Sequence, residues 1–158
     1  HAGVVLGLGS VAGHINKNSI STNDLGSFDS QITREYSALT GACLTISKKN
    51  WSLLDGLNER NLKVNYSDVD LCLRARELGL SNLYLAEVKA LHLESQTRKK
   101  PKGKNYREWK KEYNFFKNKW SHIILKDPCF NPNLSLFDEN FSLGFREQDD
   151  YYIRSKFF

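Results

Sequence analysis

The hydrophobic and polar positions divide the chain into short apolar runs separated by polar stretches. Val4 to Leu8 is an apolar run bounded by glycines, which predicts a buried strand with Gly7, Gly9 and Gly13 marking a turn beyond it. From His14 to Arg34 the sequence turns to Ser, Asn, Asp and Gly without a period, the pattern of a long loop. SALTGACLTI, Ser37 to Ile46, returns to small and β-branched residues and predicts a strand. A short helix near Lys48 to Leu54 follows and stops at Asp55-Gly56.

In NYSDVDLCLRARELG, Ser67 stands as an N-cap with Asp70 three residues on, an approximate capping box. Val69, Leu71, Cys72, Ala75 and Leu78 supply the apolar side of a helix that ends at Gly79. NLYLAEVKALHL, Asn82 to Leu93, alternates enough for a strand that carries His92 near its C-terminal end. Tyr106 to Leu125 predicts one amphipathic helix, and the spacing of Trp109, Tyr113, Phe116 and Trp120 makes these aromatics core rather than a stacking platform. The loop DPCFNPNLS comes next, and residues 136–158 form a tail without a convincing period.

Strand, helix, helix, strand, helix is a mixed α/β order. HAGVVLGLGSVAG contains G-x-G, but the spacing does not complete G-x-G-x-x-G and no helical pattern follows at once, so a dinucleotide site is not the reading taken.

Composition adds bounds. A chain of 158 residues, 40% hydrophobic and 26% charged, suits one domain or part of one. It has no methionine and opens in mid-phrase, which suggests a piece of a longer protein. No apolar run approaches the roughly 20 residues needed to span a bilayer, and no signal peptide is recognisable, so a soluble chain is expected. Cys43, Cys72 and Cys129 are widely spaced, and two of them sit in apolar patterns; reduced core thiols and a cytoplasmic setting follow. The net charge of +5 gathers in RKKPKGKNYREWKK, Arg98 to Lys111, which reads either as a solvated loop leading into a helix or as a surface for an anionic partner: nucleic acid, a nucleotide diphosphate or a phospholipid surface.

Asp68 and Asp70 raise the chemical question, because a metal site, a catalytic base and a helix cap all use first-turn carboxylates. Two residues apart on a helix, they project about 200° around its axis, so they would not naturally share one metal.

TGACLTISKKNW, GLNE, SDVDLCLRARELG, LHLES, then a Trp with DPCFNPNLS downstream, in that order and spacing over about residues 2–135, resemble the C-terminal half of family 2 glycosyltransferases. The likeness is to the rhamnosyltransferase-like bacterial enzymes that build cell-surface polysaccharide. It implies a partial GT-A fold with a mixed, continuous sheet and flanking helices, in which residues 1–135 are the acceptor-side part. The nucleotide-gripping first half, with the family's D-x-D, has no counterpart here, so this chain alone is expected to be inactive. By position the resemblance makes Asp68 the base on the acceptor, in an inverting transfer that needs a carboxylate aimed at the acceptor hydroxyl.

The same resemblance makes His92 a ligand that completes the site of a divalent cation, Mn²⁺ or Mg²⁺, with a satisfied structural histidine as the alternative. Ser95, Thr97 and Arg98 become diphosphate contacts, although the family's second histidine is replaced by Leu93. Gly41 and Ala42 give clearance for substrate, or else pack tightly under a helix. GLNE stands where the family has an acidic residue at Asn58, which weakens an acid role there. The implied partners are a nucleotide-sugar donor and a glycan or lipid-linked acceptor, with association at the inner face of the membrane and no nucleic acid. A homo-oligomer is also expected, because the opening strand asks for cover on both sides. The competing classes are a basic nucleic-acid-binding module and a non-catalytic scaffold.

Overall fold

The Val4 to Leu8 run forms β1 (Gly3–Leu6), every residue of it buried, in a computed structural model that describes residues 2–16, 30–90, 103–137 and 142–144. It makes an antiparallel hairpin with β2 (Ala12–Ile15), Gly3 opposite Ile15 and Leu6 opposite Ala12. Gly7 and Gly9, at φ 82° and 59°, let the chain turn through the left-handed region. The polar stretch predicted as loop from His14 therefore begins with two strand residues, and residues 17–29 lie outside the described set.

Successive side chains of β1 point to opposite faces, and both faces are covered by this chain. Val4 and Leu6 join Leu62, Val69, Cys72, Leu73, Phe116, Trp120 and Ile124 in one cluster. Val5 joins Ala2, Leu8, Ile15 and Tyr36 in another. The N–H groups of Val4 and Leu6 turn away from β2: Val4 donates to the Ala38 carbonyl at 3.0 Å and Leu6 to Asp127 Oδ2 at 2.7 Å. The uncovered strand that motivated an intermolecular contact is not found; Asp127 and Ala38 close its second edge.

β3 (Arg34–Tyr36) pairs antiparallel with β4 (Asn82–Tyr84). The strand predicted over Ser37 to Ile46 does not form: Ala38 makes a single bridge with Val4, and the chain then enters a 3-10 turn at Gly41–Cys43. Thr40 Oγ1 accepts from the Ala42 N–H at 3.4 Å, and the Gly41 N–H is bound by a carboxylate instead of a neighbouring strand. The strand predicted over Asn82 to Leu93 is also shorter. It ends at Tyr84, leaving Leu83, Leu85 and Val88 exposed, and residues 91–102 are not described. The class is α/β as predicted, but the strands described form two small antiparallel sheets rather than one continuous mixed sheet.

α1 (Lys48–Leu53) starts where Ser47 Oγ accepts from the Asn50 N–H at 3.1 Å and ends in the left-handed pair Asp55 and Gly56. α3 (Lys104–Ile124) buries Phe116, Trp120 and Ile124 against β1 and α2 (Ser67–Glu77), with Trp109 and Tyr113 partly buried, so its aromatic stripe is core. Trp120 has non-helical dihedrals and marks a kink. Among the described residues no helix is long and apolar enough to cross a membrane. All three cysteines are free, but only Cys72 is a core thiol; Cys43 is exposed.

Candidate functional site

The start of α2 is set from outside the helix. Ser67 is not the cap: Tyr66 is, at φ 61° and ψ 5°, and it makes no side-chain capping bond. Neighbouring elements hold Tyr66 in this left-handed conformation, uncommon for a non-glycine residue. Its ring stacks on Phe116 at 4.9 Å and meets Tyr113 edge-on at 6.5 Å. Burial, reinforced by Tyr113 and Glu112, pushes its phenol up to about 12. The helix ends at Glu77, with Leu78 as a 53% exposed C-cap and Gly79 left-handed beyond it, so Leu78 is not part of the apolar face.

Asp68 lies in the first turn, partly exposed. Its Oδ2 accepts from the Gly41 N–H at 2.7 Å, and Oδ1 accepts from the Val69 N–H at 2.9 Å. A carboxylate offers about four lone-pair sites, so these two bonds fix its orientation while leaving capacity for a further donor. Gly41 is close enough that an added Cβ would meet Asp68 Cβ at 3.2 Å and Oδ2 at 3.4 Å. Behind the pair, Cys72 Sγ accepts from the Leu39 N–H at 3.4 Å; burial, with the Asp68 charge adding to it, pushes this thiol up to about 11.

Asp70 faces the other way and is fully buried. Its Oδ2 accepts from Arg74 Nε at 2.8 Å, and its Oδ1 from Lys119 Nζ at 2.8 Å and Trp120 Nε1 at 2.9 Å. Arg74 continues the chain of bonds to the carbonyls of Leu54 and Gly56. Asp70 thus ties α2 to α3 and to the end of α1, and no capping box forms. Among the described residues no three His, Cys, Asp or Glu side chains gather to hold a metal ion.

Of the predicted site residues, the fold brings Gly41 and Asp68 together, with Ala42 next in the same exposed turn rather than under a helix. His92, Ser95, Thr97 and Arg98 lie outside the described residues. Asn58 Oδ1 accepts from the Asn61 N–H at 3.3 Å, a local turn bond rather than acid chemistry. An open cleft lined by Trp51, Leu57, Glu59, Arg60 and Arg74 does not include Asp68 or Gly41.

Sequence reasoning missed Glu112, a buried carboxylate on α3. Oε1 accepts from the N–H groups of Lys63 at 3.1 Å and Val64 at 3.3 Å; Oε2 accepts from the Asn65 N–H at 2.8 Å and Asn65 Nδ2 at 2.6 Å. The signal was present: Glu112 stands three residues after Trp109 and four before Phe116, on the face those aromatics bury.

No protein-family model matches the chain, and no solved structure matches it. It is 37% identical over 146 residues, 91% of its length, to an uncharacterized protein, y4gI, of Sinorhizobium fredii. It is 35% identical over 103 residues, 63% of its length, to the O-antigen biosynthesis protein RfbC of Myxococcus xanthus. The chain spans 16% and 8% of the lengths of these two relatives.

Proposed function

We propose that this chain is the acceptor-side part of an inverting family 2 glycosyltransferase of GT-A fold that acts in cell-surface glycan synthesis, with Asp68 as the base. The observation that carries the reading is the contrast within one turn of helix. Asp70 is consumed by Arg74, Lys119 and Trp120, whereas Asp68 is oriented by Gly41 at the protein surface with accepting capacity left. The similarity to a protein named for O-antigen biosynthesis supports the glycan context.

In this reading the acceptor hydroxyl attacks the anomeric carbon of a nucleotide-sugar, forming the new C–O bond. The bond to the diphosphate breaks on the opposite face, and the hydroxyl proton passes to Asp68. The Gly41 N–H keeps the carboxylate aimed as the proton arrives, and the glycine lets the acceptor-side turn approach it closely. The acceptor is a glycan or a lipid-linked sugar at the membrane surface. The described residues do not furnish a set for Mn²⁺ or Mg²⁺, so no step here runs through a cation; His92 is its proposed ligand in this chain.

The test is Asp68→Asn in the full-length protein that carries this chain, assayed by sugar transfer from a nucleotide-sugar. Turnover is expected to fall by roughly 10²-fold or more with donor affinity nearly unchanged. Wild-type turnover in Asp68→Asn would reduce Asp68 to a residue that complements the helix dipole.

A further inference from the structure

We infer that Glu112 is a positioning residue for Asp68: its buried carboxylate moulds the loop from Lys63 to Tyr66 into the conformation from which α2 departs with Asp68 against Gly41. The inference rests on the reading of Asp68 as a base for its consequence in turnover, but not for its structural part. Three successive backbone N–H groups, from Lys63, Val64 and Asn65, converge on this one side chain, and Asn65 Nδ2 adds a fourth bond. Such a concave run of N–H groups is an anion-binding arrangement, and here the protein's own carboxylate fills it.

Apolar burial holds the segment only at its ends, through Leu62 and the Tyr66 ring; between them Val64 is 56% exposed. The next residue, Tyr66, must take φ 61°, and its carbonyl accepts the Asp70 N–H at 2.8 Å as the first turn of α2 closes. With no side-chain cap at Tyr66 or box from Ser67, the loop sets how the first turn of α2 begins, while Asp70 and the buried Val69, Cys72 and Leu73 hold the body of the helix. On the same face of α3 as Glu112, Phe116 stacks on the Tyr66 ring at 4.9 Å and Tyr113 meets it at 6.5 Å, so a single helix face grips both ends of the segment. Asp68 follows two residues later and reaches Gly41, 27 residues away in the chain.

The structural part has its own reporter. The Gly41 amide is protected by Asp68 Oδ2, and Gly41 touches neither Glu112 nor the loop in the hydrogen-bond pattern. In Glu112→Gln an amide NH₂ replaces one accepting oxygen among four donors. Hydrogen exchange on the full-length protein, well below its unfolding temperature, should show the Gly41 amide exchanging on the order of tenfold faster, with Leu6 unchanged. Asn65→Ala, which removes only the side-chain bond, should give a smaller acceleration of the same amide and serves if Glu112→Gln does not fold. Ile124→Val, a packing change at the far end of α3, should leave Gly41 as in wild type.

Turnover of Glu112→Gln should fall by about tenfold with donor KM unchanged. Wild-type protection of Gly41 in folded Glu112→Gln, or in Asn65→Ala where the first does not fold, would overturn the inference. If Asp68→Asn keeps its turnover while Glu112→Gln still releases Gly41, the positioning stands and the catalytic reading falls.

Discussion

Replacing Asp70 with Asn removes one charge and little volume from a carboxylate that is fully buried and bound by three side-chain donors. As a first-turn acid acting only on the helix dipole and a cap, it would contribute about 0.5 to 1 kcal/mol, in a salt-screened form. The tertiary environment makes the expected cost much larger. Asn can keep an acceptor towards Trp120 Nε1, but Arg74, held by the Leu54 and Gly56 carbonyls and 20% exposed, loses its counter-charge in place. Breaking a buried pair in this way costs about 3 to 5 kcal/mol. Lys119, at 32% exposure, can turn its ammonium to water and adds little. The variant should therefore lose about 3 to 4 kcal/mol, a drop in Tm on the order of 10 °C for a chain of this size. Urea unfolding followed by far-ultraviolet circular dichroism measures it without relying on the fluorescence of Trp120, and the midpoint should move while the slope stays constant. Because the pair is buried, the loss should be nearly the same at 0.1 and 1 M salt. A loss below about 1 kcal/mol that fades with salt would refute the reasoning and return Asp70 to the helix dipole.

Asp127→Asn sets a hydrogen-bond donor against the N–H of Leu6 or Cys129 and should cost about 1 to 3 kcal/mol at neutral pH by the same unfolding assay. Burial raises the Asp127 carboxyl above its ordinary range, so the folded chain holds the proton more tightly; the wild-type advantage over Asn should be largest below about pH 4 and narrow as pH rises through the native pKa. Cys72, raised from 9.0 to about 11, and Tyr66, raised from 10.0 to about 12, act in the same sense at the alkaline end. Stability present below pH 9 should be lost between about pH 9 and 12, by about 2 to 3 kcal/mol for each group, and Tyr66→Phe should remove the part above pH 10 in a pH series of urea midpoints. On the proposed division of the site, the 158-residue chain alone should give no detectable sugar transfer, because positioning of the donor can supply about 7 to 11 kcal/mol of such a barrier; robust transfer by the chain would contradict that division.

The elements with local causes were legible in the sequence. β1 follows from its apolar run, the end of α1 from Asp55-Gly56, and α3 from the period of Trp109, Tyr113, Phe116 and Trp120. The divergence of Asp68 and Asp70 was legible too, since 100° per residue sends i and i+2 to opposite sides of any helix. What the tertiary structure decided is where a distant polar group overrode a local preference. Gly41 to Cys43 has strand-like neighbours in sequence, but its first N–H is taken by Asp68. Ser67 has the side chain of a cap, but four bonds to Glu112 and the aromatic contacts of Tyr66 move the cap one residue back. Asp70 could as well have faced water, until Arg74, Lys119 and Trp120 closed around it. Periodicity records which face of an element is apolar; it does not record which buried carboxylate will meet which backbone N–H across the fold, because that pairing exists only once the elements are packed.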